Sequence, residues 1–255
     1  MQLFDLTGRV AVVTGSSRGI GRAIAERLAE HGARVVISSR KADACAKVAA
    51  EINELRGAGS AVAVPANISS KQELEQLVEQ THTALGPISI LVCNAATNPH
   101  YGPMSGIRDE QFRKILENNV IANHWLIQMV APEMCKARDG AIVIVSSIAG
   151  LRGTATLGAY GISKAADMQL VRNLAVELGP HNVRINCVAP GIIKTDFSRA
   201  LLEDPDVSAR MIKHSPLRRF GEPDEVAGIA VCLAGPAGRF VTGQTLIVDG
   251  GDTIA

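Results

Sequence analysis

Aromatic residues are scarce in this 255-residue chain, where five Phe, two Tyr and one Trp make up 3% of the whole. Charge is not concentrated either: 26 Lys and Arg stand against 25 Asp and Glu, a net charge of +1, with no basic block. The electrostatic footprint of a nucleic-acid binder is therefore missing. No uninterrupted apolar run approaches the roughly 20 residues that a membrane helix requires. The opening MQLFDLTGR has no basic stretch leading into an apolar one, as a secretory signal would. A soluble, cytoplasmic protein with no membrane partner is expected. Five cysteines, Cys45, Cys93, Cys135, Cys187 and Cys232, are odd in number, lie far apart and form no C-x-x-C pair. That argues against a disulfide framework or a zinc site and for reduced, mostly core thiols. The six histidines show no H-E-x-x-H or paired spacing, so no metal is expected. The final Thr253-Ile254-Ala255 is not a peroxisomal signal. No internal repeat, low-complexity tract or linker divides the chain.

What the chain does have is rhythm. Short runs rich in Val and Ile (RVAVVT, ARVVIS, AVAVPA, ISILVC, AIVIVS, VRINCV) alternate with segments of helical period. Those helical segments run over GRAIAERLAEHG, Ala42 to Arg56, Lys71 to Leu85, Asp109 to Lys136 and Ala159 to Leu178. This is the pattern of an α/β fold, a single-domain doubly wound parallel sheet with helices on both faces. The strands are apolar throughout, as strands buried on both faces should be. The rhythm breaks after Val188: a long irregular stretch from Pro190 to Leu217 precedes a helix from Pro223 to Leu233 and a last strand in TLIVDGG. Loops of that length are usually functional, and residues 192–217 are expected to form a substrate lid.

The first strand runs straight into Thr14-Gly15-Ser16-Ser17-Arg18-Gly19-Ile20-Gly21 and then a helix. A glycine turn there aims free N–H groups and the positive helix end at the sheet's carboxyl edge, which suits a pyrophosphate. Gly15 would permit the tight turn, Gly19 a close approach of cofactor to backbone, and Gly21 close packing of helix on strand. At the end of the second strand an NAD site would place Asp or Glu on the ribose, yet this chain has Ser38-Ser39-Arg40-Lys41. Arg40 and Arg18 can instead clamp a 2′-phosphate, which favours NADP over NAD; the plain alternative is that both are solvated surface charges.

Tyr160, in GAYGISKA, precedes Lys164 by four residues, so the two share a helix face about 6 Å apart along the axis. A phenol with pKa near 10 needs about 4 kcal/mol to titrate three units lower. An ammonium about 4 Å away, at an effective dielectric near 20, supplies roughly that. Tyr160 would then serve as general acid and base, helped by the positive ring of an oxidised nicotinamide. The alternative is a tyrosine that only packs its ring beside a solvated lysine. Ser146 and Ser147 end the fifth strand, where ligands gather, and either hydroxyl can simply cap the turn.

Taken together, TGSSRGIG, CNAA, ENNV, VSSIAG, YGISK and PGIIKT resemble the motifs of the short-chain dehydrogenase/reductase family in order and spacing over almost the whole chain. The resemblance implies a metal-free Rossmann oxidoreductase, usually a homotetramer, that moves a hydride between NAD(P) and a carbonyl or carbinol carbon. It implies catalytic roles for four residues: Tyr160 as proton donor and acceptor, Lys164 as holder of the nicotinamide ribose, Ser147 as support for the substrate oxygen, and Asn119 in a water-linked proton path. It also implies cofactor contacts from Gly15, Ser17, Arg18, Gly19, Ile20 and Gly21, from Ser39 and Arg40, and from Asn67, Ile68, Asn94 and Ala95. Tyr160, Lys164, Pro190, Gly191, Ile193 and Thr195 complete that set. The family's N-A-G reads Asn94-Ala95-Ala96 here, and its usual Asp after the third strand is Asn67, whose carbonyl can still accept from an adenine amino group.

Within the family the motifs are similar to those of the NADP-dependent carbonyl and retinol reductase branch, and other segments to hydroxysteroid dehydrogenases and 3-oxoacyl reductases. The expected substrate is a lipophilic ketone, aldehyde or secondary alcohol, under a roof formed by residues 97–107, 150–158 and the lid. Phe197, Leu201, Leu202, Val207, Met211 and Ile212 make that lid partly apolar, unless they pack a small helix on the core. Trp125 reads as a core or interface residue. An NAD-dependent hydroxysteroid-type or 3-oxoacyl reductase and a non-catalytic NADP-sensing module are the alternatives. A sugar-nucleotide epimerase would need a substrate lobe for which there is no room after Leu233.

Overall fold

In the computed structural model, which describes residues 2–198 and 202–255, seven strands form one parallel sheet in the order β3-β2-β1-β4-β5-β6-β7. They are β1 (Val10–Thr14), β2 (Arg34–Ser38), β3 (Ala61–Ala63), β4 (Ile90–Cys93), β5 (Gly140–Val145), β6 (Val183–Pro190) and β7 (Thr245–Val248). The helices are α1 (Gly19–Glu30), α2 (Ala42–Arg56), α3 (Lys71–Leu85), α4 (Asp109–Leu116), α5 (Ala122–Ala137), α6 (Gly158–Leu178), α7 (Pro205–His214) and α8 (Pro223–Ala234). Alternating side chains of each strand go to opposite faces. Ala11 and Val13 pack with Ile24 and Leu28 of α1, Ile52 of α2 and Val226 of α8. Val10 and Val12 pack with Leu74 of α3, Leu126 of α5 and Val171 of α6. Each fully buried Leu or Ile in these layers contributes about 1.5–3 kcal/mol. Trp125 is half-buried against the second layer.

Two elements differ from the sequence pattern. The expected helix from Asp109 to Lys136 is interrupted by a wide π-helical turn, Glu117–Ile121. At this turn Asn119 exchanges two hydrogen bonds with the Thr97 backbone, accepting from its N–H at 2.8 Å and donating to its carbonyl at 3.1 Å. Asn118 accepts from the Ser69 hydroxyl at 2.8 Å. Such bulges concentrate at functional sites. The second difference lies in the stretch after β6. Its base is tied by a one-residue parallel bridge between Ile193 and Gly221, and it carries α7. Leu201 lies outside the described residues, as does the side chain of Val207. Phe197 is exposed, Leu202, Met211 and Ile212 are half-exposed, and neither core layer includes any of them. Among the described residues no helix is long and apolar enough to cross a membrane.

Candidate active site

The order of the strands reverses between β1 and β4, so their carboxyl ends open a crevice where open parallel sheets take their ligands. The glycine turn leaves β1 at this point. Gly15 and Gly19 both adopt left-handed backbone, with φ of +66° and +57°. A Cβ on Gly21 would lie 2.4 Å from Asn94 Nδ2 and 2.5 Å from the Gly15 carbonyl, so the turn closes on α1 with no space for a side chain. Arg18 precedes α1 with extended backbone and no side-chain cap, and the first turn of the helix holds no acidic residue. Free N–H groups and the positive helix end therefore face the crevice, flanked by Ser17 and by Ile20, which anchors in the core. That is a fitting seat for a dinucleotide pyrophosphate.

The floor of the crevice is rigid. Asn94 donates to the Thr14 and Gly15 carbonyls at 3.0 and 3.3 Å, while the Asn94 and Ala95 amides donate to the Thr14 hydroxyl at 3.0 and 3.1 Å. On the far side Gly191 closes against Asp249, where a Cβ would meet Asp249 Cα at 2.8 Å. Pro190 ends β6, Ile193 buries its side chain in the core, and Thr195 shares hydrogen bonds with Ser198. Arg18 and Asn67 each have a partner within the chain. The Arg18 guanidinium reaches Asp196 at 3.2 Å, with both side chains at the surface. Arg40 stands exposed beside Ser39, whose hydroxyl lies 3.1 Å from the Cys45 sulfur, and forms no ion pair among the described residues. The Asn67 carbonyl oxygen accepts from the Ser69 amide at 3.2 Å, drawn into the turn that starts α3, with Ile68 packed behind it.

Beyond the crevice the β5 strand ends in two serines with different tasks. Ser146 is buried and donates to the Lys164 carbonyl at 2.8 Å, pinning α6 to the strand. Ser147 accepts from the Ala149 amide at 3.1 Å and is half-exposed, with its hydroxyl acting on the Tyr160 phenol. The approach depends on glycine: a Cβ on Gly161 would meet the Ala149 carbonyl at 2.7 Å. Tyr160 is 9% exposed, Lys164 2%, and Asn119 is fully buried. Asn119 donates to the Ser163 hydroxyl at 3.0 Å, which in turn donates to the Tyr160 carbonyl at 2.7 Å. All four residues expected to act together are thus gathered at one end of α6.

Two neighbours went unnoticed in the sequence. Asp167 is fully buried and accepts from the Lys164 ammonium at 3.1 Å, and Asn123 donates to it at 3.1 Å. Only an acidic residue three positions beyond the lysine, on the stripe that continues as Met168 and Val171, could have signalled it. Its presence corrects the electrostatics. The Lys164 nitrogen lies 5.7 Å from the Tyr160 ring centroid, and its charge is shared with a carboxylate. Burial therefore dominates Tyr160 and holds its phenol above the usual value, against the pull of Lys164 and the Ser147 hydroxyl. Burial also works against the Lys164 ammonium, but Asp167 and then Tyr160 outweigh it and raise its pKa.

This cleft and fold define the class of protein, an oxidoreductase that works with a nicotinamide dinucleotide. A family model described as enoyl-(acyl carrier protein) reductase matches residues 15–253. The rabbit (Oryctolagus cuniculus) dehydrogenase/reductase SDR family member 4 is 42% identical over 247 residues, which cover 96% of this chain and 94% of the relative. A 7α-hydroxysteroid dehydrogenase, solved with NADH and 7-oxo glycochenodeoxycholic acid, superimposes with a TM-score of 0.93 at 40% identity, covering 97% of this chain and 95% of that one. A gluconate 5-dehydrogenase from Burkholderia cenocepacia, in complex with NADP and tartrate, gives a TM-score of 0.94 at 31% identity, covering 99% and 98%. The chain belongs to the short-chain dehydrogenase/reductase family.

Proposed function

We propose that this enzyme reduces a lipophilic ketone or aldehyde with NADPH, and oxidises the matching alcohol in reverse, with Tyr160 as the proton-transferring group. The observation that carries this reading is a buried tyrosine flanked by Ser147 and Lys164 at the mouth of a glycine-cradled crevice. When bound, NADP(H) supplies or takes up the hydride. The rest falls to the protein. Ser147 and Tyr160 direct two hydroxyls at one oxygen, where negative charge builds as the carbonyl is reduced. Tyr160 holds its proton at neutral pH, and its place in the first turn of α6 favours the anion it becomes on donating that proton. Lys164 keeps its ammonium beside it. Asn119 holds the π-helical turn against Thr97 and fixes the wall behind them.

Arg40, exposed and without an ion-pair partner among the described residues, suits a 2′-phosphate, and no carboxylate at the end of β2 opposes one. A charged hydrogen bond is worth about 1.5–3 kcal/mol. Arg40→Ala should therefore raise the KM for NADPH at least about tenfold and leave that for NADH nearly unchanged. Equal effects on the two cofactors would remove the assignment of NADP over NAD.

Lipophilic substrates are favoured by exposed apolar residues in three segments bordering the cleft: Tyr101 and Met104, Leu151, and Phe197 with Leu217. Phe197 reaches Tyr160, with ring centroids 6.1 Å apart. Phe197→Ala should raise the KM for bulky apolar ketones by about 5- to 10-fold with kcat little changed, the loss of one partly covered ring. Steady-state kinetics on a graded ketone series reads this, and an unaltered KM throughout would remove Phe197 from the substrate wall. The 40% identity with the 7α-hydroxysteroid dehydrogenase favours a steroid-sized ketone as a second reading. Assembly as a homotetramer belongs to the proposal, supported by the exposed apolar residues Val176, Ile247 and Phe240. So does a cytoplasmic site, supported by five free cysteines.

The reading is tested by following NADPH absorbance with a panel of ketones and aldehydes. Turnover with apolar members supports it; tight NADPH binding without turnover of any would favour a cofactor-sensing module instead.

A further inference from the structure

Lys164 can donate three hydrogen bonds, and two are committed away from the cleft. One goes to the Val145 carbonyl at 2.9 Å, the other to Asp167 Oδ2 at 3.1 Å. Asp167 Oδ1 accepts from Asn123 Nδ2 at 3.1 Å, and Asn123 also donates to the Asn119 carbonyl at 2.6 Å. Both carboxyl oxygens accept, the arrangement of an ionised carboxylate. The pair is sealed: Lys164 is 2% exposed and Asp167 fully buried.

Among the described residues, the titratable groups that act on this carboxylate and its lysine lie on three elements. Lys164 and Tyr160 face it from α6. From α5 comes only the neutral Asn123. The Cys93 thiol of β4 and the Cys187 thiol of β6 lie in its field, and burial keeps both protonated. Arg172, exposed further along α6, acts on Cys187. The negative charge nearest the Lys164 ammonium is therefore Asp167.

We propose that Asp167 is a positioning residue that anchors the Lys164 ammonium against the sheet and offsets part of its charge at the Tyr160 phenol, so that Tyr160 gives up its proton at a higher pH than it would beside an unopposed lysine. The inference rests on Tyr160 as the proton donor but is tested apart from it. An unopposed buried ammonium would favour the phenolate and draw its titration down toward the neutral range. With Asp167 in place the phenol stays loaded for an incoming carbonyl, and the base form needed for alcohol oxidation is reached only at alkaline pH. Burial, the largest influence on Tyr160, acts in the same direction.

The composition makes the test clean, because the chain has two tyrosines and the other, Tyr101, is exposed. In a Tyr101→Phe background, tyrosinate absorbance of the cofactor-free protein reads Tyr160 alone. Adding Asp167→Asn, nearly the same shape without the charge, should lower the midpoint by about one to two pH units. The alkaline limb of kcat/KM for ketone reduction should move down with it. Asp167→Ser serves if the Asn variant does not fold, circular dichroism confirming the fold at each pH. Lower kcat with an unmoved titration and an unmoved pH limb would make Asp167 scaffolding only and overturn the proposal. The titration reads the phenol itself; the catalytic role of Tyr160 stands or falls separately, on the activity of Tyr160→Phe.

Discussion

Tyr160→Phe should lose about 10²- to 10⁴-fold in kcat for ketone reduction, the range contributed by a positioned acid or base. It should bind NADPH as tightly as the parent. The substitution removes one oxygen and leaves the ring, its packing on Phe197 and the neighbouring Lys164 ammonium in place. On the proposed reading the cofactor is seated elsewhere, at the glycine turn and the crevice floor that Asn94 ties together. Ser147 still offers a hydrogen bond to the substrate oxygen but has no acidity to replace the lost proton donor, so activity should fall steeply without vanishing. Steady-state turnover with the best substrate, paired with a fluorescence titration of NADPH, separates the two quantities. Undiminished turnover would remove Tyr160 from the chemistry, and a parallel loss of cofactor affinity would show that the ring serves binding instead.

The second large effect falls on stability. Lys164→Ala strips Asp167 of its counter-ion and leaves a carboxylate in a fully buried site with only Asn123 as donor. Breaking a buried pair by removing one member costs about 3–5 kcal/mol. The loss should depend on pH with a definite sign. Burial already raises the Asp167 carboxyl above its ordinary value, opposed by Lys164. Without the lysine, the folded-state pKa rises further above the unfolded one. A group of that kind binds its proton more tightly in the native state, so its penalty grows as pH climbs above the unfolded value near 3.8. Denaturant unfolding should show a deficit that is largest near neutrality and shrinks toward pH 4. Lys164→Ala/Asp167→Asn should recover part of it. A deficit independent of pH, or a double variant no better than the single one, would show that the pair is not an uncompensated charge in waiting. Turnover and NADPH affinity should both fall in Lys164→Ala.

These two variants mark what the sequence discloses and what it does not. Strand and helix alternation was legible because both strand faces are buried: the runs from Val10 to Val13 and from Ala141 to Val145 are apolar at every position, without the alternation that a solvated face would impose. The glycine turn was legible because positive φ and contacts below 3 Å admit almost nothing else. Tyr160 and Lys164 fell on one face by helical spacing alone. The π-helical turn was not legible: it carries hydrogen bonds between Asn119 and Thr97, 22 residues apart, that no local period encodes. The balance of influences on the Tyr160 phenol was not legible for a similar reason. It depends on how deeply the helix end is buried and on where the lysine points, which the sheet and Asp167 decide. The contact of Arg18 with Asp196, 178 residues away, was not legible for the same reason.

The central claim is that hydride moves between the cofactor and a carbonyl carbon in this cleft while Tyr160 moves the proton. Incubation with NADPH deuterated at the nicotinamide C4, with the product alcohol read by mass spectrometry, tests it most directly. The account predicts one deuterium on the carbinol carbon from the parent protein and, in the same time, only a trace from Tyr160→Phe. Equal labelling from both proteins, or alcohol formed without deuterium when either C4 position carries the label, would contradict it.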